Sequence, residues 1–257
     1  MNKLLCPICG ASLMKEEKRF ICKNNHNFDQ AKSGYVNLLI NRPASGDNLE
    51  MVQARRLILE KGYFEPIRQH CVALFLKHGI SSFLDVGCGE GYYTKELAAN
   101  TLESYGVDIS KQACDYAAKS DKKTQYIVAS ASQLPFAAHS VDAVIHLFAM
   151  HHREFSRVAA NYILSVVPNP DHLLELKQDL YDEVYVHQKE EPDFPDFSIH
   201  SVDRITYTVF VEEITSLVKM TPYFYTSNWQ NWNHLKPINL TIDVSIYLFK
   251  RMDKGAL

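Results

Sequence analysis

Beyond Ser81 the chain alternates short apolar runs with stretches of helical spacing, and this alternation restricts the possible folds more than any other feature. It predicts a mostly parallel sheet with helices on both faces. The expected strands are Phe83–Val86, Ser104–Val107, Gln125–Val128, Asp142–Leu147 and Tyr162–Val167. The expected helices are Tyr92–Asn100, Lys111–Ser120 and Glu154–Ala160. The run Leu240–Phe249 alternates apolar and polar residues, so we expect it to end the sheet as an antiparallel edge pair.

The first expected strand runs into a glycine-rich turn, Leu84-Asp85-Val86-Gly87-Cys88-Gly89-Glu90-Gly91-Tyr92. Ligands of an α/β sheet bind at the carboxyl ends of its strands, where glycines let the backbone approach closely. A dinucleotide fingerprint needs a small residue where Tyr92 stands, so the turn disfavours NAD. Asp108 follows Gly87 by 21 positions and closes the next strand, where a carboxylate can accept both hydroxyls of a ribose.

A third segment, Ser130-Ala131-Ser132-Gln133-Leu134-Pro135-Phe136, follows the third expected strand and offers polar and flat apolar groups to bracket an adenine. A ribose-binding acid without a pyrophosphate fingerprint indicates S-adenosylmethionine as the cofactor. Turn, acid and Leu-Pro-Phe segment together predict an α/β fold with a class I, Rossmann-like methyltransferase sheet. The cofactor-binding candidates from this reasoning are Asp85, Gly87, Asp108 and Ser130.

The N-terminal segment carries a cysteine pattern typical of a zinc site. Cys6-Pro7-Ile8-Cys9-Gly10 places two thiolates three positions apart, and Cys22 and His26 follow. Such a Cys₃His set suits tetrahedral zinc, and the interval allows a hairpin of Ser12–Lys15 with Arg19–Cys22. The metal would supply much of the folding free energy of so small a β module. The alternative is a chance set of unligated cysteines, and Cys71, Cys88 and Cys114 are expected to be buried fillers.

We expect three parts: a zinc-binding, RNA-recognition module at residues 1–40, a helical linker at 41–80 and a methyltransferase domain at 81–257. Asn41 to Asn48 has a linker composition with a helix N-cap near its end. Residues 49–77 predict two helices that meet at Gly62-Tyr63. Five basic residues there are either solvated or contact phosphate: Arg55, Arg56, Lys61, Arg68 and Lys77.

Charge is distributed unevenly along the 257 residues. Residues 1–80 carry 12 Lys and Arg against 7 Asp and Glu, a balance of +5, and residues 81–257 carry 15 against 23, a balance of −8. A basic module on an acidic body suits an enzyme that binds RNA, although composition alone can produce such a difference. No apolar run approaches the ~20 residues of a membrane helix and no secretory segment opens the chain, so we expect a cytoplasmic protein without membrane contact.

The motifs together resemble the RlmA family of large-subunit ribosomal RNA (guanine-N1)-methyltransferases, which includes enzymes that confer resistance to tylosin-like macrolides. The resemblance covers nearly the whole chain. It is carried by Cys6 to Cys9, Cys22 to His26, Asn27-Phe28-Asp29, Lys32 to Leu38, Gln53-Ala54-Arg55-Arg56, Asp85 to Thr94, Leu134-Pro135-Phe136 and Pro168 to Lys177.

The resemblance implies that Cys6, Cys9, Cys22 and His26 hold zinc and that Tyr63, Gly89, Glu90 and His172 contact S-adenosylmethionine. It also implies a homodimer whose basic cleft receives a hairpin of large-subunit (23S) ribosomal RNA. From the residues alone, Tyr63 is equally a packing aromatic, and His172 is alternatively a solvated residue at a helix start.

Two departures from the family pattern concern the part of the site where the methyl-accepting base is expected to bind. The family usually has Ala-Pro after the fourth strand, where this chain has Phe148-Ala149-Met150-His151-His152, and a Pro-Gly-Gly-type turn is missing before the fifth strand. Guanine N1 must lose a proton, and His151 and His152 are candidate acceptors by position alone. Because N1 lies on the pairing edge, the base must leave its stack, which favours a loop target.

The leading hypothesis is therefore methylation of guanine N1 in a hairpin loop of 23S rRNA. A methyltransferase for another RNA or a small metabolite is a second possibility, but such a metabolite enzyme has no evident use for a zinc module. An RNA-binding or ribosome-assembly factor with little or no turnover is a third, suggested by Met150-His151-His152. The aromatic stretches Glu190–Phe197 and Thr221–Trp232 are candidate lid or pocket-wall segments, with core packing as the alternative for each ring.

Overall fold

The computed structural model describes residues 3–40, 48–184, 191–228 and 234–253. A small antiparallel sheet near the N-terminus contains β1 (Leu13–Glu16), β2 (Arg19–Cys22) and β3 (Asn27–Asp29). A large sheet contains β4 (Val36–Asn37), β5 (Ser82–Val86), β6 (Glu103–Asp108), β7 (Gln125–Val128), β8 (Val141–Leu147), β9 (Ala159–Pro168), β10 (Phe197–Val211) and β11 (Ile238–Arg251). Its order is β10-β11-β9-β8-β5-β6-β7-β4.

Helices connect most of these strands. They are α1 (Leu49–Glu60), α2 (Glu65–His78), α3 (Tyr92–Ala99), α4 (Lys111–Ser120), α5 (Glu154–Val158), α6 (Leu174–Leu180), α7 (Ile214–Lys219) and α8 (Tyr223–Thr226). Asn48 caps α1 by accepting a hydrogen bond from the Met51 amide at 2.9 Å, as its sequence position predicts. The rest of the expected linker, residues 41–47, lies outside the described residues. None of the described helices is both long and apolar enough to cross a membrane.

The parallel core confirms the fold predicted from alternating patterns. Strand β5 pairs in parallel with β6 on one side and β8 on the other, so the chain changes direction across the sheet at this point. Such a switch point is where α/β sheets bind ligands, because the loops after adjacent strands diverge there. The five predicted parallel strands and the β1–β2 hairpin are present, with the end of each shifted by at most three residues.

The edge of the sheet differs in detail from the prediction. Strand β11 forms an antiparallel pair as expected, but its partner β10, which the sequence did not predict, is the outermost strand. Most side chains of β10 remain exposed or half-buried because only one neighbour covers it. Its second half, Ile205-Thr206-Tyr207-Thr208-Val209-Phe210-Val211, does carry the alternation and β-branched residues of a strand, so this signal was available in the sequence and was missed.

The candidate lid segments contribute to the core where they are described. Phe194 and Phe197 are buried, and the Phe194 ring packs against Phe155 and Phe249. Glu190 lies outside the described residues. Thr221 is buried and Tyr223 packs against the core, whereas 229–232 of the second stretch lie outside the described residues. For Phe194 and Phe197 the core-packing alternative is therefore correct.

Candidate functional site

Four side chains near the N-terminus converge with distances that suit one zinc ion. The ligand atoms of Cys6, Cys9, Cys22 and His26 all lie within 4.8 Å of one another. Cys9 and Cys22 sulfurs are 3.7 Å apart, and His26 Nδ1 lies 3.4 Å from Cys6 Sγ and 3.5 Å from Cys22 Sγ. Two thiolates ~2.3 Å from a common tetrahedral zinc are separated by about 3.8 Å. The donor set therefore fits zinc in both chemistry and spacing.

Two backbone turns hold these ligands in place. The Gly10 amide donates to the Cys6 carbonyl at 2.8 Å, and the Asn25 amide donates to the Cys22 carbonyl at 2.9 Å. Gly10 and Asn25 have φ values of 71° and 60°, a region that glycine and asparagine tolerate better than other residues. A backbone hydrogen bond from Ala11 is the main cause that lowers the pKa of the Cys9 thiol to about 6, which favours the thiolate that binds a metal.

The zinc module is joined to the larger part of the chain by main-chain hydrogen bonds. The Leu5 amide donates to the Pro135 carbonyl at 2.9 Å, and the Ala137 amide donates to the Lys3 carbonyl at 2.9 Å. Leu4 and Phe136 form a bridge, and both are buried in one apolar cluster. The zinc module thus packs on the loop that follows β7, one of the loops predicted to surround the cofactor.

The glycine turn after β5 lies against the ends of two neighbouring strands. Gly87 and Cys88 both donate their amides to the Val107 carbonyl of β6, at 2.8 and 3.1 Å. Gly87 has a φ of 80°, and a Cβ atom there would lie 2.9 Å from the Ala149 Cβ. Glycine is therefore required at this position, because a side chain would displace the loop after β8.

Asp108 at the end of β6 faces this turn. Its Oδ2 accepts from the Gly89 amide at 2.9 Å, and its Oδ1 accepts from the Ser110 amide at 2.8 Å. The carboxylate thus fixes the glycine turn at the end of β6, where a ribose diol is expected.

Asp85 is a buried carboxyl group that begins the turn. Thr94 donates its hydroxyl to Asp85 Oδ2 at 2.6 Å, whereas Oδ1 has no hydrogen-bond partner among the described residues. Burial is the main cause that raises the Asp85 pKa to about 7. An unpartnered buried carboxyl oxygen is costly unless a donor reaches it, and a ligand ammonium group is such a donor.

We expect Asp85→Asn to gain stability relative to the wild type as the pH rises from about 5.5 to about 8. The folded state keeps a proton on Asp85 up to a pKa of about 7, whereas the ordinary value is 3.8. Because the folded state binds more protons in this window, the free energy of unfolding of the wild type falls as the pH rises. The difference in free energy of unfolding between Asp85→Asn and the wild type should change by about 2 kcal/mol between these pH values.

Urea denaturation at both pH values measures this change. Thr94 can donate to an asparagine oxygen too, so the substitution preserves the local shape. Glu96→Gln on the exposed side of α3 is the matched control for the change from a carboxyl to an amide, and the pH dependence of Asp85→Asn should exceed that of this control. An Asp85→Asn effect that is equal at both pH values would contradict the assigned pKa.

Glu90 follows Gly89 and is buried beside α1. Arg55 Nη1 lies 3.7 Å from Glu90 Oε2, and a Cβ on Gly89 would lie 3.5 Å from the same guanidinium nitrogen. Arg55 therefore faces the glycine turn. Three other basic residues of this region form ion pairs elsewhere: Arg56 with Glu60, Lys61 with Glu213, and Arg68 with Glu65. The sequence alone did not distinguish Arg55 from these neighbours.

The loop after β7 carries Ser130 and is held by hydrogen bonds within the loop and from Arg157. Ser130 Oγ lies 2.8 Å from Ser132 Oγ, and the Ser130 carbonyl accepts from the Gln133 amide. Arg157 donates to the Leu134 and Phe136 carbonyls at 2.9 and 2.6 Å. This loop is consequently ordered next to the ends of β6 and β7, where the adenine is expected.

The two remaining cofactor candidates lie in different surroundings. The Tyr63 hydroxyl donates to Glu213 Oε2 at 2.8 Å, and its carbonyl accepts from Tyr207, so both of these partners belong to the C-terminal part. His172 is buried, and its Nδ1 accepts from the Asp243 amide at 3.2 Å. Burial lowers the His172 pKa to about 4, so the ring is neutral with its proton on Nε2. His172 is therefore a hydrogen-bond donor and not a solvated helix-start residue.

The segment after β8 completes the edge of the site. Phe148 has a φ of 57°, a conformation that costs a bulky residue about 1–2 kcal/mol. Its ring stacks on His172 with centroids 5.5 Å apart and planes 25° apart, and it lies nearly perpendicular to the ring of buried Phe64, with centroids 6.1 Å apart. His152 Nδ1 accepts from the Glu154 amide at 3.1 Å, whereas His151 is exposed at the rim.

Comparison with known proteins agrees with this geometry. One family model, described as RlmA, N-terminal, matches residues 4–43, and another, described as a methyltransferase domain, matches residues 84–170. YxjB of Bacillus subtilis strain 168, which carries the name of a 23S rRNA (guanine-N(1)-)-methyltransferase, is 32% identical over 95% of this chain and 95% of its own. The 23S rRNA (guanine(748)-N(1))-methyltransferase of Streptomyces fradiae is 30% identical over 67% of this chain and 66% of its own.

Among solved structures, the YcgJ protein of Bacillus subtilis has the same fold. It aligns with a TM-score of 0.51 over 72% of this chain and 99% of its own, at 15% identity. At this identity the likeness concerns the sheet and its helices, and it carries no information on the acceptor.

Proposed function

The chain belongs to the RlmA family of 23S rRNA (guanine-N1)-methyltransferases, and from this premise we propose its reaction and the residues that perform it. The enzyme transfers the methyl group of S-adenosylmethionine to N1 of a guanine in 23S ribosomal RNA. The observation that carries this function is the Cys₃His cluster, whose module is hydrogen-bonded to the loop after β7. A methyltransferase for small metabolites has no evident use for such a module beside its cofactor loop.

S-adenosylmethionine supplies an activated methyl group, so the protein mainly aligns donor and acceptor and excludes water. Asp108 would accept the ribose hydroxyls, the Gly87 to Glu90 turn would contact the cofactor through its backbone, and Ser130 would flank the adenine. Asp85 Oδ1 accepts from the ammonium group, and the neutral His172 donates through Nε2. Tyr63 would contact the cofactor through its ring or through its hydroxyl oxygen, which can still accept a hydrogen bond while it donates to Glu213.

The N1 proton of guanine needs an acceptor at the rim after β8. His152 Nδ1 already accepts from the Glu154 amide, which leaves the proton on Nε2 of a neutral ring. His151 is exposed in the same segment and is the better-placed acceptor. The target guanine lies in a hairpin loop, because an unpaired base reaches a pocket at low cost. We also propose that the enzyme is a cytoplasmic homodimer, as the site of ribosome assembly and the family resemblance suggest.

A methylation assay with purified protein tests the function. Tritium-labelled S-adenosylmethionine and unmodified 23S transcript should give label in RNA, and mass mapping after nuclease digestion should place the methyl group at one guanine N1. A transcript with adenine at that position is the control and should stay unlabelled. Transfer to small molecules alone, or RNA binding without transfer, would contradict the proposal.

A further inference from the structure

The segment that follows β8 presents an aromatic ring at the edge of the cofactor site. Phe148 is 40% exposed although the neighbouring rings of Phe64 and His172 are almost fully buried. The plane of Phe64 lies at 84° to the plane of the Phe148 ring, and the plane of His172 lies at 25° to it. Phe148 thus combines a ring that packs against two buried rings with an accessible surface that a ligand can contact.

The backbone around Phe148 is fixed to the cofactor turn. The Phe148 amide donates to the Val166 carbonyl at 3.0 Å, and His146 Nδ1 donates to the Ala149 carbonyl at 3.1 Å. The Ala149 Cβ occupies the space that a side chain on Gly87 would need. Phe148 therefore directly precedes a residue that packs against the glycine turn, where the cofactor is expected.

The support beneath the ring is rigid as well. His172 is bonded to the Asp243 amide, and the fully buried Asp243 carboxylate receives Arg204 Nε and Nη2 at 2.9 and 2.7 Å. Asn169 also donates to this carboxylate at 2.9 Å. A partly exposed aromatic ring with a fixed plane suits stacking of a planar base, because the flat surface loses little entropy on binding.

Phe148 also keeps a left-handed backbone conformation that bulky residues avoid. Strained residues persist where the surrounding structure holds them, and they cluster at functional sites. A phenylalanine that served only as core filler would gain nothing from this backbone or from its exposed face.

We propose that Phe148 stacks on the guanine that is methylated and positions N1 for transfer. This inference rests on the proposed function. The stacking partner is a purine base that has left its RNA stack, and the ring acts as a positioning surface with no part in proton transfer. His172 and Phe64 pack against the Phe148 ring and hold its plane. The His172 ring thus helps to position the guanine as well as contacting the cofactor.

The test compares Phe148→Leu with Phe148→Tyr, measuring methylation of the RNA and cofactor affinity by calorimetry. Leucine keeps an apolar side chain and the same backbone strain but removes the aromatic face, whereas tyrosine restores the face. We expect kcat/KM for RNA to fall about 10- to 100-fold in Phe148→Leu, and Phe148→Tyr to stay within about threefold of the wild type. Cofactor affinity should remain within about twofold in both variants.

Phe210→Leu is the matched control, because Phe210 is 56% exposed on the edge strand β10 and should tolerate the same change. Wild-type activity in Phe148→Leu would overturn the stacking role, as would a loss of cofactor affinity as large as the loss of kcat/KM. Failure of Phe148→Tyr to restore activity in a folded protein would do the same. A wild-type enzyme that methylates no RNA would instead refute the proposed function, so the two failures are distinguishable.

Discussion

Replacing Cys22 with alanine removes the bound zinc and unfolds the N-terminal module while the large sheet stays folded. Structural zinc contributes an apparent ~10–16 kcal/mol in zinc-finger peptides, which matches or exceeds the stability of a typical domain at ~5–15 kcal/mol. The module has little core of its own to replace this contribution, since its buried residues Leu4, Leu13 and Phe20 share one cluster with Phe136. The expected loss is therefore complete for residues 3–30.

Metal analysis and amide hydrogen exchange measure this result. Zinc should fall well below one per chain, and amides of β1 to β3 should lose protection while those of β5 and β8 keep it. Cys71→Ala is the matched control, because Cys71 is buried in the core away from the cluster and its loss should leave zinc unchanged. Retention of one zinc and full protection in Cys22→Ala would show that Cys22 is not a ligand.

The second large effect is expected at the cofactor. Asp108→Ala should weaken S-adenosylmethionine binding by about 1.5–3 kcal/mol for each charged hydrogen bond lost, or roughly 10- to 100-fold for the first. The same change also leaves the Gly89 amide without its acceptor. Calorimetry with the cofactor and its demethylated product gives the affinity.

A cofactor analogue without the ribose 2′-hydroxyl separates the two causes. If Asp108 binds the diol, the penalty of Asp108→Ala should be much smaller for the deoxy analogue than for the natural cofactor. An equal penalty for both would mean that the carboxylate acts only through the turn. Glu96→Ala on exposed α3 is the control and should change affinity by no more than ~0.5 kcal/mol.

The sequence predicted those strands and sites whose residues lie close together in the chain. Apolar runs identified β5 to β9 because strands buried on both faces must be apolar, and ligand spacing identified the zinc set because two turns alone bring Cys6, Cys9, Cys22 and His26 together. The glycine turn and Asp108 were predicted for the same reason. Their hydrogen bond at 2.9 Å confirms that they lie together, whereas their contact with the cofactor stays a prediction.

Features that depend on distant contacts were not predictable. Strand β4 has two residues and pairs with β7, about 90 positions away, so no periodic signal marks it. Arg55 resembles its basic neighbours in sequence, and only the packing of α1 brings it to Glu90. Phe148 was noted as a departure from a family pattern, but its exposed face depends on Phe64 and His172, which come from other segments.

The pairing of β4 with β7 has a consequence for how a nucleotide is chosen. Val36 and Asn37 follow the zinc module in the chain and belong to the same sheet as the cofactor turn. The sheet therefore restricts motion of the zinc module relative to the cofactor site. If an RNA stem contacts the N-terminal module while its loop enters the pocket, this joint fixes the distance between the bound stem and the reactive base. We therefore expect methylation to fall when the stem is lengthened by one base pair.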